Sequence, residues 1–102
     1  MRSPHEIREV IEVRLKNYVS RDTTGVRRAL LQIFLRLKCL TVGEIFAIIA
    51  RKFSISYHSV AAMVGLIASK IGILHVTKNR EGCCSVYSLK EQYAGMVARI
   101  VS

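Results

Sequence analysis

Acidic residues are scarce in this chain of 102 residues, which has 7 Asp and Glu against 16 Lys and Arg and a formal net charge of +9. Such an excess of positive charge favours a polyanionic partner such as nucleic acid, or an anionic membrane surface. Because 51% of the residues are hydrophobic, a disordered basic tail is excluded. At this length we expect one domain, 1–102, with a core of its own and no separate cofactor domain.

Long apolar runs are missing as well. The longest stretch without Asp, Glu, Lys or Arg, residues 53–69, has 17 residues and includes several polar ones. A membrane-spanning helix needs about 20 predominantly apolar residues, so we expect no membrane span. No apolar run follows the first charge at the N-terminus, which argues against a secretory signal. Three cysteines without a framework spacing then predict reduced thiols in a cytoplasmic protein.

The sequence also lacks the motifs of catalysis and of cofactor or metal binding. It has neither a G-x-x-x-x-G-K phosphate loop nor a G-x-G-x-x-G motif, and the spacing of its residues supports no Ser/His/Asp constellation. Cys83 and Cys84 are adjacent, so strand alternation would point them to opposite faces, where they cannot easily share one ion. We therefore predict no enzyme activity, no cofactor and no bound metal.

Capping boxes and helical periodicity are what the sequence does contain. The pattern S/T-x-x-E, which can start a helix, begins at Ser3, Thr41 and Ser88. Apolar residues at helical spacing predict helices over about 4–19, 25–38, 42–52 and 89–101. One more helix, the fourth in chain order, begins after the cap Ser56 and ends at Gly72, a residue type that commonly ends helices.

After Gly72 the apolar pattern changes from a period of 3.6 residues to a period of 2. This predicts a β-hairpin over about 73–87, with its turn at 79–82. The order of elements is that of a winged helix-turn-helix, mainly α with a small hairpin. Its trihelical core covers about 25–71, the hairpin is the wing, and extra helices precede and follow them. The fourth helix would be the recognition helix. Because such flanking helices often build dimer interfaces, we expect a homodimer.

The expected partner is double-stranded DNA, bound by a transcription regulator. Basic side chains at the start of helix 2 and at the wing tip would anchor phosphates, while the outer face of the recognition helix offers only limited base readout. That face holds no Arg, Lys, Asn or Gln, the residues that make the strong base contacts. The predicted DNA-binding residues are Arg27, Arg28, Tyr57, His58, Ser59, Ser69, Lys70, Lys78 and Arg80.

The outer face of the recognition helix also has a second interpretation. Ala61, Ala62 and Gly65 form a stripe of small residues that another helix, from this chain or from a protein partner, could cover. The protein would then be a winged-helix interaction module within a larger complex. Exposure of the stripe in the isolated chain favours DNA binding, and cover by another helix favours packing.

Two segments carry a resemblance to known proteins, SRDTTGVRRALLQIFLRLKCLTVGEIF and FSISYHSVAAMVGLIASKIGIL. They resemble an archaeal family of small proteins known only as a domain of unknown function. The hairpin and the C-terminal helix fit the family too, so the resemblance spans nearly the whole chain. It implies a winged-helix fold and no established activity, and it therefore assigns no functional residues.

Overall fold

The computed structural model describes residues 4–37, 39–78 and 85–101. In chain order these residues form α1 (Pro4–Ser20), α2 (Val26–Arg36), α3 (Val42–Ile49), α4 (Tyr57–Leu66), β1 (Leu74–Lys78), β2 (Ser85–Leu89) and α5 (Glu91–Val101). A π-helical turn, Ile67–Ile71, continues α4. β1 and β2 pair antiparallel. The predicted fold class, mainly α with a small hairpin, is confirmed.

Local capping explains where α3 and α4 begin. Thr41 Oγ1 accepts a hydrogen bond from the Glu44 N–H at 3.2 Å, and Glu44 Oε1 accepts one from the Thr41 N–H at 2.9 Å. This capping box and the cap at Ser56, whose Oγ accepts from the Ser59 N–H at 3.1 Å, are confirmed. The box predicted at Ser88 is wrong, because Ser88 lies in β2 opposite His75 and α5 begins only at Glu91. Ser3 lies outside the described residues.

The helix predicted over 25–38 ends earlier than its apolar pattern indicates. α2 stops at Arg36, and Leu37 has an extended backbone with φ −121° and ψ 127°. The reason is tertiary, since the next segment must reach the wing. There Leu40 donates to the Tyr87 carbonyl at 2.9 Å and accepts from the Tyr87 N–H at 2.7 Å. This bridge ties the link between α2 and α3 to the edge of β2.

The core lies between the trihelical unit and the two flanking helices. The inner side of α4 and its π-helical turn is buried at Val60, Val64, Ile67 and Ile71, and α3 packs against it. α1 packs against α5, where Arg8 Nη1 donates to the Gln92 carbonyl at 2.8 Å and Glu12 forms an ion pair with Arg99. Of the helices in 4–37, 39–78 and 85–101, none has the length and apolar content to cross a membrane.

Candidate nucleic-acid interface

The first turn of α4 presents polar groups outward because its inner side is anchored in the core. Val60 is fully buried, whereas Tyr57, His58 and Ser59 are exposed. The Tyr57 ring meets Phe46 edge to face, with ring centroids 5.6 Å apart, yet 53% of its surface stays exposed. The start of the helix therefore offers a phenol, an imidazole and a hydroxyl, all of which can hydrogen-bond to nucleic acid.

The two serines of the predicted set already take part in local hydrogen bonds. Ser59 Oγ accepts from Ser56 Oγ at 3.0 Å, next to the helix cap. Ser69 Oγ donates its proton to the Gly65 carbonyl at 2.7 Å. A hydroxyl has one proton and two lone pairs, so in this arrangement Ser69 can only accept a further hydrogen bond. Any further partner of Ser69 Oγ must therefore be a hydrogen-bond donor.

The small-residue stripe of α4 is open on its outer side. Ala62 is exposed and Ala61 and Gly65 are half-buried. A Cβ added at Gly65 would meet no atom within 4 Å in the described part of the chain. No described helix of this chain therefore covers the stripe at Gly65, and the face is open to an outside partner. By the criterion set from the sequence, this exposure favours DNA binding over internal packing.

The π-helical turn gives the end of the segment that begins with α4 a different geometry from its start. The Gly72 N–H donates to the Ile67 carbonyl at 3.0 Å, a bond between residues i and i+5. Such a turn is wider than an α-helical one. Beyond Leu66, a spacing of 3.6 residues per turn therefore no longer gives the directions in which side chains point. Ser69 and Lys70 lie on this turn and line a cavity between it, α1 and α2.

This cavity, of about 530 Å³, brings three of the predicted residues together. Arg27, Ser69 and Lys70 line it, whereas Tyr57, His58 and Ser59 are not among its lining residues. Two further basic residues that sequence reasoning missed, Arg14 and Arg21, also line the cavity. Their spacing in the sequence is a usable signal: Asn17, Tyr18 and Arg21 follow Arg14 by 3, 4 and 7 residues, which places all four along one side of α1 and just past its end.

Neighbouring arginines at the start of α2 have different surroundings. Arg27 is half-buried, its Nη1 donates to the Tyr18 carbonyl at 2.8 Å, and its guanidinium lies 4.5 Å from the centre of the Tyr18 ring. Arg28 is exposed. Its backbone N–H and that of Gly25 donate to the two carboxylate oxygens of Asp22, at 3.2 and 3.1 Å. Arg27 therefore lies at the cavity, and the Arg28 side chain reaches solvent.

The wing is described only in part. Lys78 is exposed at the end of β1, paired with Ser85 of β2. Arg80, predicted at the wing tip, lies outside the described residues, as do Cys83 and Cys84. The prediction that Arg80 contacts phosphate and the prediction that the cysteines bind no metal therefore stay predictions.

Comparison with known proteins identifies relatives in sequence and in structure. The family described as "Protein of unknown function (DUF2551)" matches residues 15–97. An uncharacterized protein of Archaeoglobus fulgidus is 45% identical over 92 residues, which are 89% of this chain and 92% of that protein.

A solved structure with the same fold is a cysteine-to-serine mutant of MarR from E. coli, complexed with operator DNA. The TM-score is 0.62 at 17% sequence identity, and the match covers 94% of this chain and 66% of the MarR chain. This likeness confirms the winged-helix fold predicted from the order of elements. Together with the match over 15–97, the archaeal relative shows that the chain belongs to the DUF2551 family.

Proposed function

We propose that this protein binds double-stranded DNA as a transcription regulator, with phosphate anchoring and limited base readout. The observation that carries the proposal is the open outer face of α4, with an exposed polar first turn and an uncovered Gly65. The structurally similar MarR chain is complexed with operator DNA, which supports the same use of the fold here. Cytoplasmic location and the lack of enzyme activity stay predictions.

Phosphate anchoring is assigned to basic side chains from α2, the π-helical turn and the wing. Arg28 and Lys78 are exposed, as is Lys70 at the end of the π-helical turn. Arg27, fixed by the Tyr18 carbonyl, and Arg80 complete the set. Because Lys and Arg attract phosphate whatever the base sequence, these residues supply affinity and not specificity.

Base readout is assigned to Tyr57, His58, Ser59 and Ser69. None of them makes the bidentate contacts by which Arg reads guanine and Asn or Gln reads adenine. The exposed methyl group of Ala62 can meet a thymine methyl in the same groove. We therefore expect binding that depends strongly on salt and discriminates weakly between sequences.

Besides DNA binding, exposed apolar side chains support two kinds of contact with other proteins. Leu66 is 42% exposed at the end of α4, which favours the alternative of an interaction module that docks on a larger complex. Ile7 and Val13 are 43% and 59% exposed on α1, which supports the expected homodimer through a flanking helix. Both stay predictions.

The proposal is tested by fluorescence anisotropy of labelled duplex DNA at a series of salt concentrations. Log affinity should fall linearly with log salt, with a slope of about −0.9 per phosphate contact. Arg28→Ala and Lys78→Ala should each reduce the slope by about one contact and weaken binding equally on unrelated sequences. Lys16→Ala removes the same charge from an exposed position of α1 and should leave the slope unchanged. No binding to any duplex at low salt would overturn the proposal.

A further inference from the structure

The cavity between α1, α2 and the π-helical turn concentrates positive charge. Arg14, Arg21, Arg27 and Lys70 line it, and no acidic residue of the described chain does. Asp22 lies in the loop between α1 and α2, where both its carboxylate oxygens accept backbone N–H groups at the start of α2. Four cations around one concave space repel one another and together create a positive potential there. An anion in the cavity would relieve this repulsion.

Two of the four cations are held at the cavity by backbone carbonyls. Arg14 Nη1 donates to the Lys70 carbonyl at 3.1 Å, and Arg27 Nη1 donates to the Tyr18 carbonyl at 2.8 Å. A guanidinium has five N–H donors in a planar fork, so each contact leaves donors for a further acceptor. Both arginines are thus oriented before any ligand arrives, which lowers the entropy that binding must lose.

The size and walls of the cavity are compatible with a small-molecule site that opens to solvent. Its volume of about 530 Å³ lies within the range of about 300–1,000 Å³ typical of ligand pockets. Leu66 and Ile71 add apolar walls. Tyr18, which also lines the cavity, is only 6% exposed, and its hydroxyl has no hydrogen-bond partner among the described residues. Ser69, Lys70 and Ile71 come from the π-helical turn, a distortion often found at functional sites.

We propose that this cavity binds a small molecule that carries several phosphate charges. Arginine forks and a lysine ammonium are the side chains that bind phosphate oxygens most strongly, and four of them match an anion with more than one negative charge. A phosphate of the DNA backbone has the same chemistry, so the experiment must separate the two sources. The proposal goes beyond DNA binding and does not require it.

Isothermal titration calorimetry with inorganic pyrophosphate, in the absence of DNA and at low ionic strength, tests the site on the full chain. The unmodified protein should bind one pyrophosphate per chain. The double variant Arg14→Gln/Arg21→Gln should weaken binding by at least about tenfold, since it removes two charged hydrogen-bond donors. The matched control is Arg36→Gln/Arg51→Gln, which removes the same charge from two exposed residues outside the cavity and should change the affinity by less than about threefold.

Two results would overturn the proposal. One is that the unmodified protein fails to bind pyrophosphate; if Arg14→Gln/Arg21→Gln then loses affinity for duplex DNA, the cavity holds a backbone phosphate instead. The other is that both double variants lose affinity equally, which would assign binding to overall surface charge. If circular dichroism shows that Arg14→Gln/Arg21→Gln is unfolded, Lys70→Gln, at an exposed residue, takes its place. The same loss of pyrophosphate affinity is expected for it. Failure of DNA binding would leave the pyrophosphate result unaffected.

Discussion

Tyr18 is the residue at which burial, charge and the cavity come together. Its side chain is buried and its hydroxyl has no partner among the described residues. Burial raises the pKa of Tyr18 to about 12, against the opposing effect of the Arg27 guanidinium and with a smaller contribution from the Asp22 carboxylate. In the unfolded chain the same phenol ionises near pH 10. The folded protein therefore holds the Tyr18 proton more tightly than the unfolded chain.

This difference predicts that Tyr18 makes folding stability fall at alkaline pH. Its contribution is complete below pH 10 and is lost as pH rises toward 12, because the unfolded state ionises first. The loss should reach about 1.4 kcal/mol at pH 11 and roughly twice that once Tyr18 is ionised in both states. Urea unfolding at pH 9 and at pH 11 measures this loss of stability. Lysine titration affects all variants alike, so it cancels when they are compared.

Between pH 9 and pH 11, Tyr18→Phe should lose less stability than the unmodified protein. Tyr57→Phe, at an exposed ring, should lose as much as the unmodified protein. Equal losses in all three would contradict the prediction.

Residue roles were predictable from the sequence where the interaction is local. Thr41 and Ser56 cap helices through groups three residues away, so a short pattern was enough to identify them. Arg14 binds the carbonyl of Lys70, 56 residues further along the chain. No local pattern contains that contact, although the spacing of Arg14, Asn17, Tyr18 and Arg21 does place these residues on one side of α1. The difference between Arg27 and Arg28 was hidden for the same reason, since it depends on the position of Tyr18.

Two glycines in and after the recognition helix perform different conformational tasks. Gly65 lies inside α4 with helical φ and with open space where a Cβ would be. Gly72 ends the π-helical turn with φ +84°, in the left-handed region that side chains with a Cβ adopt only at a cost. The same substitution should therefore have opposite effects at the two positions.

Gly65→Ala should raise the free energy of unfolding by about 0.5–1 kcal/mol, because alanine favours a helix interior. Gly72→Ala should lower it by about 1–2 kcal/mol, because a Cβ is strained in the left-handed region. Chemical denaturation of both variants and the unmodified protein measures the two changes, and each glycine serves as the control for the other. A loss of stability in Gly65→Ala would mean that the outer face of α4 is covered in solution.

At the level of elements, the sequence predicted the helices that apolar periodicity controls. It did not predict helix boundaries at positions where distant segments pair. Predicted helices over 4–19 and 42–52 correspond to α1 and α3, because apolar spacing and caps act within one element. Two of the differences, the box at Ser88 and the C-terminal end of the helix predicted over 25–38, lie beside backbone pairing with the wing. Strand pairing there outweighs local helical preference, which a single sequence does not reveal. The helix predicted over 42–52 ends earlier, at Ile49, and the helix predicted over 89–101 begins later, at Glu91.

For the molecule as a whole, the important fact is where the positive charge lies. Of the 16 basic residues, four line one cavity, and Lys70 among them also belongs to the proposed DNA-binding set. The end of α4 and the π-helical turn contribute Leu66, Ser69 and Lys70 to the cavity wall. Occupation of the cavity and binding of DNA would therefore depend on the same short segment and on Arg27.

If both proposals hold, a phosphate-bearing ligand in the cavity should weaken DNA binding, because ligand and DNA would compete for Arg27 and Lys70. Thermodynamic linkage requires the reverse effect to be equal, so DNA should weaken ligand binding by the same factor. The measurement is anisotropy of labelled duplex DNA with increasing pyrophosphate, with NaCl adjusted to keep ionic strength constant so that general screening cannot imitate competition. We expect saturating pyrophosphate to lower DNA affinity by about 5–150-fold.

Pyrophosphate should lower the DNA affinity of the cavity variant Arg14→Gln/Arg21→Gln by a smaller factor. In Arg36→Gln/Arg51→Gln the factor should equal that of the unmodified protein. An unchanged DNA affinity at saturating pyrophosphate would show that Arg27 and Lys70 serve the cavity and not the DNA interface.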